Sequence, residues 1–137
     1  MYTLDQDICR NQEKLDIGGG STALFAVIGE NKMHIGNIGD SKAVIFRDGE
    51  ALTLTTEHNA NNKEERRDVE SRGGWVFEKK VNEHTRYLVQ GALEVTRSLG
   101  DRMYKKYITC EPEIVEYEFT KDDEYIILGS DGFWKVN

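Results

Sequence analysis

Proline is nearly absent. Pro112 stands alone against 13 glycines in 137 residues, which excludes a proline-rich linker, and 38% hydrophobic with 31% charged residues is the balance of a chain that folds. Cysteine is almost as rare: Cys9 and Cys110 lie far apart and outside any CxxC pair, so neither a zinc site nor a disulfide framework is expected. No apolar run reaches the length of a membrane span, and Met1-Tyr2-Thr3-Leu4-Asp5 lacks the basic and apolar segments of a signal peptide. A soluble, intracellular protein with no membrane partner is the expectation. Positive charge is in deficit, 18 Lys and Arg against 25 Asp and Glu, for a formal net charge of -7. That balance opposes binding to a phosphate backbone, so no nucleic-acid partner is expected. What remains is one acidic domain, since a chain of about 150 residues buries roughly 70% of its unfolded surface.

Polar residues with Leu4, Ile8 and Leu15 at roughly helical spacing predict a short amphipathic helix over 4–16, stopped by Gly18-Gly19-Gly20. Thr22 to Ile28 and Met33 to Ile38 are rich in β-favouring residues and flank Gly29-Glu30-Asn31-Lys32, which reads as a hairpin. A second hairpin is predicted for 43–46 and 51–54, where Asp48-Gly49 supplies the positive φ of a tight turn. Asn61 to Arg72 reads as an exposed helix capped by Asn62 and ended by Gly73-Gly74, its charges forming a solvated face. Strands are predicted again at 75–77, 87–89, 113–119 and 125–128, the last two separated by the polar turn 120–123. Many antiparallel strands with few, separate helices define an α+β class rather than a doubly wound parallel fold.

Two acidic turns carry the chemical interest. Asn37-Ile38-Gly39-Asp40-Ser41 follows one apolar strand, and Gly129-Ser130-Asp131-Gly132 follows another. An aspartate at a strand end either satisfies turn N–H groups or projects into a site, and glycine neighbours permit both. If Asp40 and Asp131 met at one sheet edge, their hard oxygens would suit Mg²⁺ or Mn²⁺ rather than zinc. A third Gly-Asp turn ends Thr96-Arg97-Ser98-Leu99-Gly100-Asp101, with Arg97 available as an ion-pair partner or an anion contact. Gly18-Gly19-Gly20-Ser21-Thr22 lacks the Gly-Lys-Ser/Thr ending of a nucleotide loop and precedes a strand instead of following one. His34, His58 and His84 show neither metal spacing nor a visible pairing with a nucleophilic serine.

The ordered motifs say more than any one of them. Gly20-Ser21-Thr22-Ala23, Asn37 to Lys42, Leu54-Thr55-Thr56-Glu57-His58, Glu64-Glu65-Arg66-Arg67, Gly73-Gly74-Trp75-Val76, Gly91 to Asp101, Glu111-Pro112-Glu113 and Glu124 to Trp134 occur in the order and separations of one family. From about Gly19 to Val136 the chain resembles the type 2C (PPM-family) metal-dependent protein serine/threonine phosphatases. The resemblance implies an α-β-β-α sandwich of antiparallel sheets, present here in part, with residues 19–137 as the family core and 1–18 as an N-terminal helix or linker. It implies a binuclear Mg²⁺ or Mn²⁺ centre that acidifies a bridging water for in-line attack on phosphorus. Asp131 looks like the family's Asp-Gly metal aspartate, and Asp40 resembles the aspartate of an additional, weaker metal position.

Departures from the family pattern modify these expectations. The family's early acidic pair, phosphate-binding arginine and Asp-Gly-His-Gly motif have no counterpart before Gly19, and the Gly-x-Asp-Asn motif has none before Asn137. Trp134-Lys135-Val136 stands where many members have Trp-Asp-Val, although some members carry this lysine too. The chain is therefore expected to be a truncated phosphatase, impaired alone, acting on a phosphoprotein substrate; the alternative is an inactive pseudophosphatase that binds a protein partner. Exposed sheet edges predict a homodimer.

Overall fold

The computed structural model describes residues 1–81 and 84–135. Helix α1 (Tyr2–Leu15) leads into a two-residue strand β1 (Gly20–Ser21), followed by β2 (Ala23–Ile28), β3 (Lys32–Ile38), β4 (Lys42–Arg47) and β5 (Glu50–Thr53). Helix α2 (Lys63–Ser71) precedes the antiparallel hairpin of β6 (Val76–Val81) and β7 (His84–Val89). A second two-residue strand, β8 (Leu99–Gly100), pairs with β1; β9 (Glu113–Glu118), β10 (Asp123–Gly129) and the single-turn helix α3 (Asp131–Trp134) follow.

Two three-stranded antiparallel sheets form the centre, in the orders β2-β3-β9 and β10-β4-β5. Strand alternation explains why they stack. Met33 and Ile35 in β3, and Ala43 and Ile45 in β4, lie two residues apart on one face of their strands and are fully or almost fully buried in a shared core. Leu24, Ala26, Leu52, Val115 and Ile126, partly buried, pack around them; full burial of a side chain such as Met33, Ile35 or Ile45 contributes about 1.5–3 kcal/mol. The expected hairpins form as read from the sequence: β2 pairs with β3, and β4 with β5. Asp48 and Gly49 have φ of 52° and 79°, the two positive values a tight two-residue turn requires. The turn at 120–122 joins strands of different sheets, since β9 pairs with β3 and β10 with β4.

The α2 reading needs one correction. Asn62 caps the helix by accepting the Glu64 N–H at 2.9 Å, and Gly73 with φ 79° follows its end. Its charges, however, are not all solvated: Glu65 is 6% exposed and Val69 is fully buried. Val69 joins Ala60, Val89 and Ile108 in a second core, and Glu65 is stabilised by the polar partners described below. Helix α1 is fastened by Ile8, which packs on Ile38, Leu99 and Cys110, and by Asp5, which accepts the Gly100 N–H at 2.9 Å. Asn82, Glu83, Val136 and Asn137 lie outside the described residues, so the Trp134-Lys135-Val136 motif is seen only as far as Lys135. Among the described residues, no helix is long and apolar enough to cross a membrane.

Candidate functional site

Strand register brings the two acidic turns together. In the β10–β4 pair, Ile126 lies opposite Ile45, Leu128 opposite Ala43 and Gly129 opposite Lys42. The ladder ends there, two residues short of both aspartates, and Asp131 opens helix α3. Asp40 and Asp131 both line a cleft of about 500 Å³, walled by Asn59, Asn61, Thr85, Arg86 and Lys135. Burial pushes the Asp40 carboxyl above the usual carboxylate range; the charge of Asp131 pushes the same way, and Lys135 partly offsets it. Lys135 lies 3.5 Å from Asp131.

The Asp40 turn is held from behind by a buried polar network. Gly39 has φ 99°, and a Cβ there would sit 2.3 Å from Thr22 Cγ2, so only glycine fits. Asn37 Nδ2 donates to the Gly39 carbonyl at 3.2 Å and to that of Thr56 at 2.8 Å. His58, 1% exposed, donates its own N–H to the Gly39 carbonyl at 2.9 Å, while its Nδ1 accepts the Gly39 N–H at 3.3 Å. Burial, reinforced by the Arg97 charge, holds the His58 pKa below the ordinary imidazole value. Glu113 accepts from both the N–H and the hydroxyl of Thr56, at 2.8 and 2.7 Å.

Arg97 is an ion-pair partner. Its Nε donates to Glu65 at 3.1 Å, a second guanidinium nitrogen meets the other carboxylate oxygen, and Thr96 Oγ1 adds a bond at 2.6 Å. Burial opposes ionisation of Glu65, but the Arg97 and Thr96 hydrogen bonds outweigh it and keep the carboxyl below its usual range. The third Gly-Asp turn is structural. Asp101 is 7% exposed, accepts from Ser98 Oγ at 2.7 Å, and packs where a Cβ on Gly20 would lie 2.0 Å from its carboxylate. Of the glycine run ahead of β2, Gly20 thus serves close packing, and His34 lies on the surface 3.5 Å from Glu116.

Sequence reasoning did not single out the other cleft walls. Asn59 and Asn61 lie before α2, whereas His84, Arg86 and Tyr87 come from β7, with Arg86 paired to Glu94. Nothing in the local pattern of β7 announces this, because its approach to Asp40 depends on how the hairpin folds over the second core.

A sandwich of antiparallel sheets is a fold shared with known phosphatases. The family model described as "Protein phosphatase 2C" matches residues 2–137, and the chain belongs to that family. "Probable protein phosphatase 2C 7" of Oryza sativa subsp. japonica is 35% identical over 132 residues, covering 96% of this chain and 34% of its own length. "Probable protein phosphatase 2C 69" of Arabidopsis thaliana is 34% identical over 132 residues, covering 96% and 36%. The chain thus spans about a third of the length of these curated relatives. Among solved structures, a C. elegans sex determining protein aligns with TM-score 0.87 and 30% identity, over 99% of this chain and 33% of that one. The serine-threonine phosphatase 2C of Toxoplasma gondii aligns with TM-score 0.84 over 97% of this chain and 48% of that one; at 22% identity it speaks to the fold alone.

The family is generally metal-dependent, so the donor set can be tested against that chemistry. Two carboxylates share the cleft, and Asp131 raises the Asp40 pKa, a repulsion that a cation would relieve. Among the described residues no three His, Cys, Asp or Glu side chains cluster as a metal cage. The set therefore fits one hard divalent ion that keeps several waters, and falls short of a two-ion centre.

Proposed function

We propose that this chain contributes part of the cleft of a metal-dependent phosphatase acting on phosphoserine or phosphothreonine in proteins. Asp131 and Asp40 are the carboxylates that hold the ion, Mg²⁺ or Mn²⁺. The observation that supports this reading is that Asp40 and Asp131, from distant parts of the sequence, both line one cleft beyond the end of the β4–β10 pair. A bound divalent ion of this kind neutralises phosphoryl charge and acidifies water. The chain's own residues supply the rest: Asp40 and Asp131 fix the ion's place, and Lys135 beside Asp131 tempers the negative field. Arg86, paired with Glu94 on the cleft wall, is placed to orient a phosphorylated segment.

Residues 1–137 form a single, partial phosphatase-like domain, and with two cleft carboxylates the chain alone hydrolyses weakly. The same scarcity of donors favours a second reading, an inactive module that binds a protein partner through this surface. Self-association is a further part of the proposal. β2 and β9 edge one sheet and β5 and β10 the other, and Val27, Ile28, Ile114 and Tyr125 on these strands are exposed apolar residues. A monomer by light scattering at every concentration would remove the homodimer.

The test is Mn²⁺-dependent hydrolysis of a phosphothreonine peptide by the purified chain, with chelator and Asp131→Asn as controls. Slow hydrolysis abolished by both supports the phosphatase reading. No hydrolysis by a folded chain that still binds Mn²⁺ supports the binding module, and no Mn²⁺ binding at all overturns the assignment of Asp40 and Asp131.

A further inference from the structure

We propose that His58 is a positioning residue for Asp40: its bare Nδ1 accepts the Gly39 N–H and so fixes the Ile38–Gly39 peptide, from which the turn departs that aims the Asp40 carboxylate into the cleft. The inference rests on the reading of Asp40 and Asp131 as cation ligands. His58 does not line the cleft; it acts from the buried side of the turn.

Gly39 is gripped on both sides of its Cα, in two successive peptide units, by the same residue. The His58 N–H donates to the Gly39 carbonyl at 2.9 Å, and the imidazole Nδ1 takes the Gly39 N–H at 3.3 Å. His58 is itself anchored, because its carbonyl accepts the Thr96 N–H at 3.0 Å, and Thr96 is bound to Glu65. An imidazole whose Nδ1 is an acceptor must carry its proton on Nε2, and Nε2 lies 3.9 Å from a Glu113 carboxylate oxygen, which favours that tautomer. Among the described residues the Gly39 amide has no other acceptor, and leaving a buried N–H unpaired costs about 1–3 kcal/mol. Since φ at Gly39 is already 99°, a region only glycine enters freely, the turn has other conformations open to it once the bond is lost. Relaxation would carry Asp40, the next residue, away from Asp131.

The two amide variants separate this role from simple packing. In His58→Asn the side-chain oxygen falls near the position of Nδ1 and can still accept the Gly39 N–H; in His58→Gln it reaches instead toward the position of Nε2. Partners of metal ligands typically alter affinity by about 10–100-fold when removed. Mn²⁺ affinity of the 137-residue chain, measured by electron paramagnetic resonance, is therefore expected to stay within about threefold of wild type in His58→Asn and to fall at least about tenfold in His58→Gln. Equal loss in both folded variants would overturn the proposal.

If the wild-type chain binds no Mn²⁺, the ligand reading fails, but the positioning role is still decided by residual dipolar couplings and amide exchange at residues 39–41. Native couplings in His58→Asn with altered ones in His58→Gln support it, and unchanged couplings in both overturn it. Should neither variant fold, the ¹⁵N spectrum of the wild-type imidazole serves: a protonated Nδ1 at neutral pH overturns the proposal, and a bare Nδ1 with a slowly exchanging Gly39 amide supports it.

Discussion

At the scale of single residues, Asp40 is held in a position that costs stability. Burial and then the Asp131 charge raise its folded pKa above the unfolded value, which is about 3.9. The folded state therefore binds the proton more tightly. The penalty is absent below the unfolded pKa, grows as pH rises through the folded pKa, and persists at neutrality. Asp40→Asn is expected to raise Tm at pH 7, by less than about 1 kcal/mol equivalent because solvent screens the site, and to leave Tm unchanged near pH 3. A lower Tm at pH 7 would show that the carboxylate is stabilising there. Glu65 behaves in the opposite sense. Although burial raises its pKa, the Arg97 and Thr96 bonds lower it further, and the net value is depressed. Its contribution is fully present above the unfolded value, about 4.3, and is lost as pH falls through the folded pKa. Urea melts between pH 6 and pH 3 should show a shallower acid loss in Glu65→Gln.

At the scale of elements, α2 combines a surface cap with a buried anchor, and the two can be separated experimentally. Asn62→Ala removes the acceptor for the Glu64 N–H and is expected to cost about 1 kcal/mol in urea denaturation. Glu65→Ala leaves Arg97 without its carboxylate and is expected to cost roughly 3 kcal/mol, the low end for a buried pair because Arg97 keeps some contact with solvent. Similar costs for both would mean that the ion pair contributes little. The elements also mark how much of the molecule is legible from sequence. The β2–β3 and β4–β5 hairpins were readable because alternation and Asp48-Gly49 are local signals. The β1–β8 pair was not, since two-residue strands of Gly20-Ser21 and Leu99-Gly100 offer no alternation to detect. Burial of Glu65 was hidden for a related reason: its partner Arg97 is 32 positions away, and no helical pattern reveals a tertiary ion pair. Asp40 and Asp131 could be nominated as strand-end carboxylates, but His84 and Arg86 could not, because their place beside the aspartates depends on tertiary folding.

At the scale of the whole molecule, ligand linkage offers a test independent of catalysis. An ion that binds only the folded chain adds about 2.7 kcal/mol at a concentration one hundred times its Kd. Mn²⁺ is therefore expected to raise the melting temperature of the wild-type chain, and to do so much less for Asp131→Asn. Equal shifts in the two proteins would assign the bound ion to another surface.

The residues between β3 and β4 form a mechanical link between the two sheets. β3 belongs to one sheet and β4 to the other, so Gly39-Asp40-Ser41 is a three-residue tether strung between the two layers. Its upstream end is pinned at Gly39 by His58, and its downstream end continues into a strand hydrogen-bonded to β10, which leads to Asp131. Any sliding of one layer over the other must be taken up in so short a tether, and the carboxylate at its midpoint would move with it. The separation of the two aspartates is thus geared to the alignment of the sandwich, and whatever holds that separation constant also resists shear between the sheets.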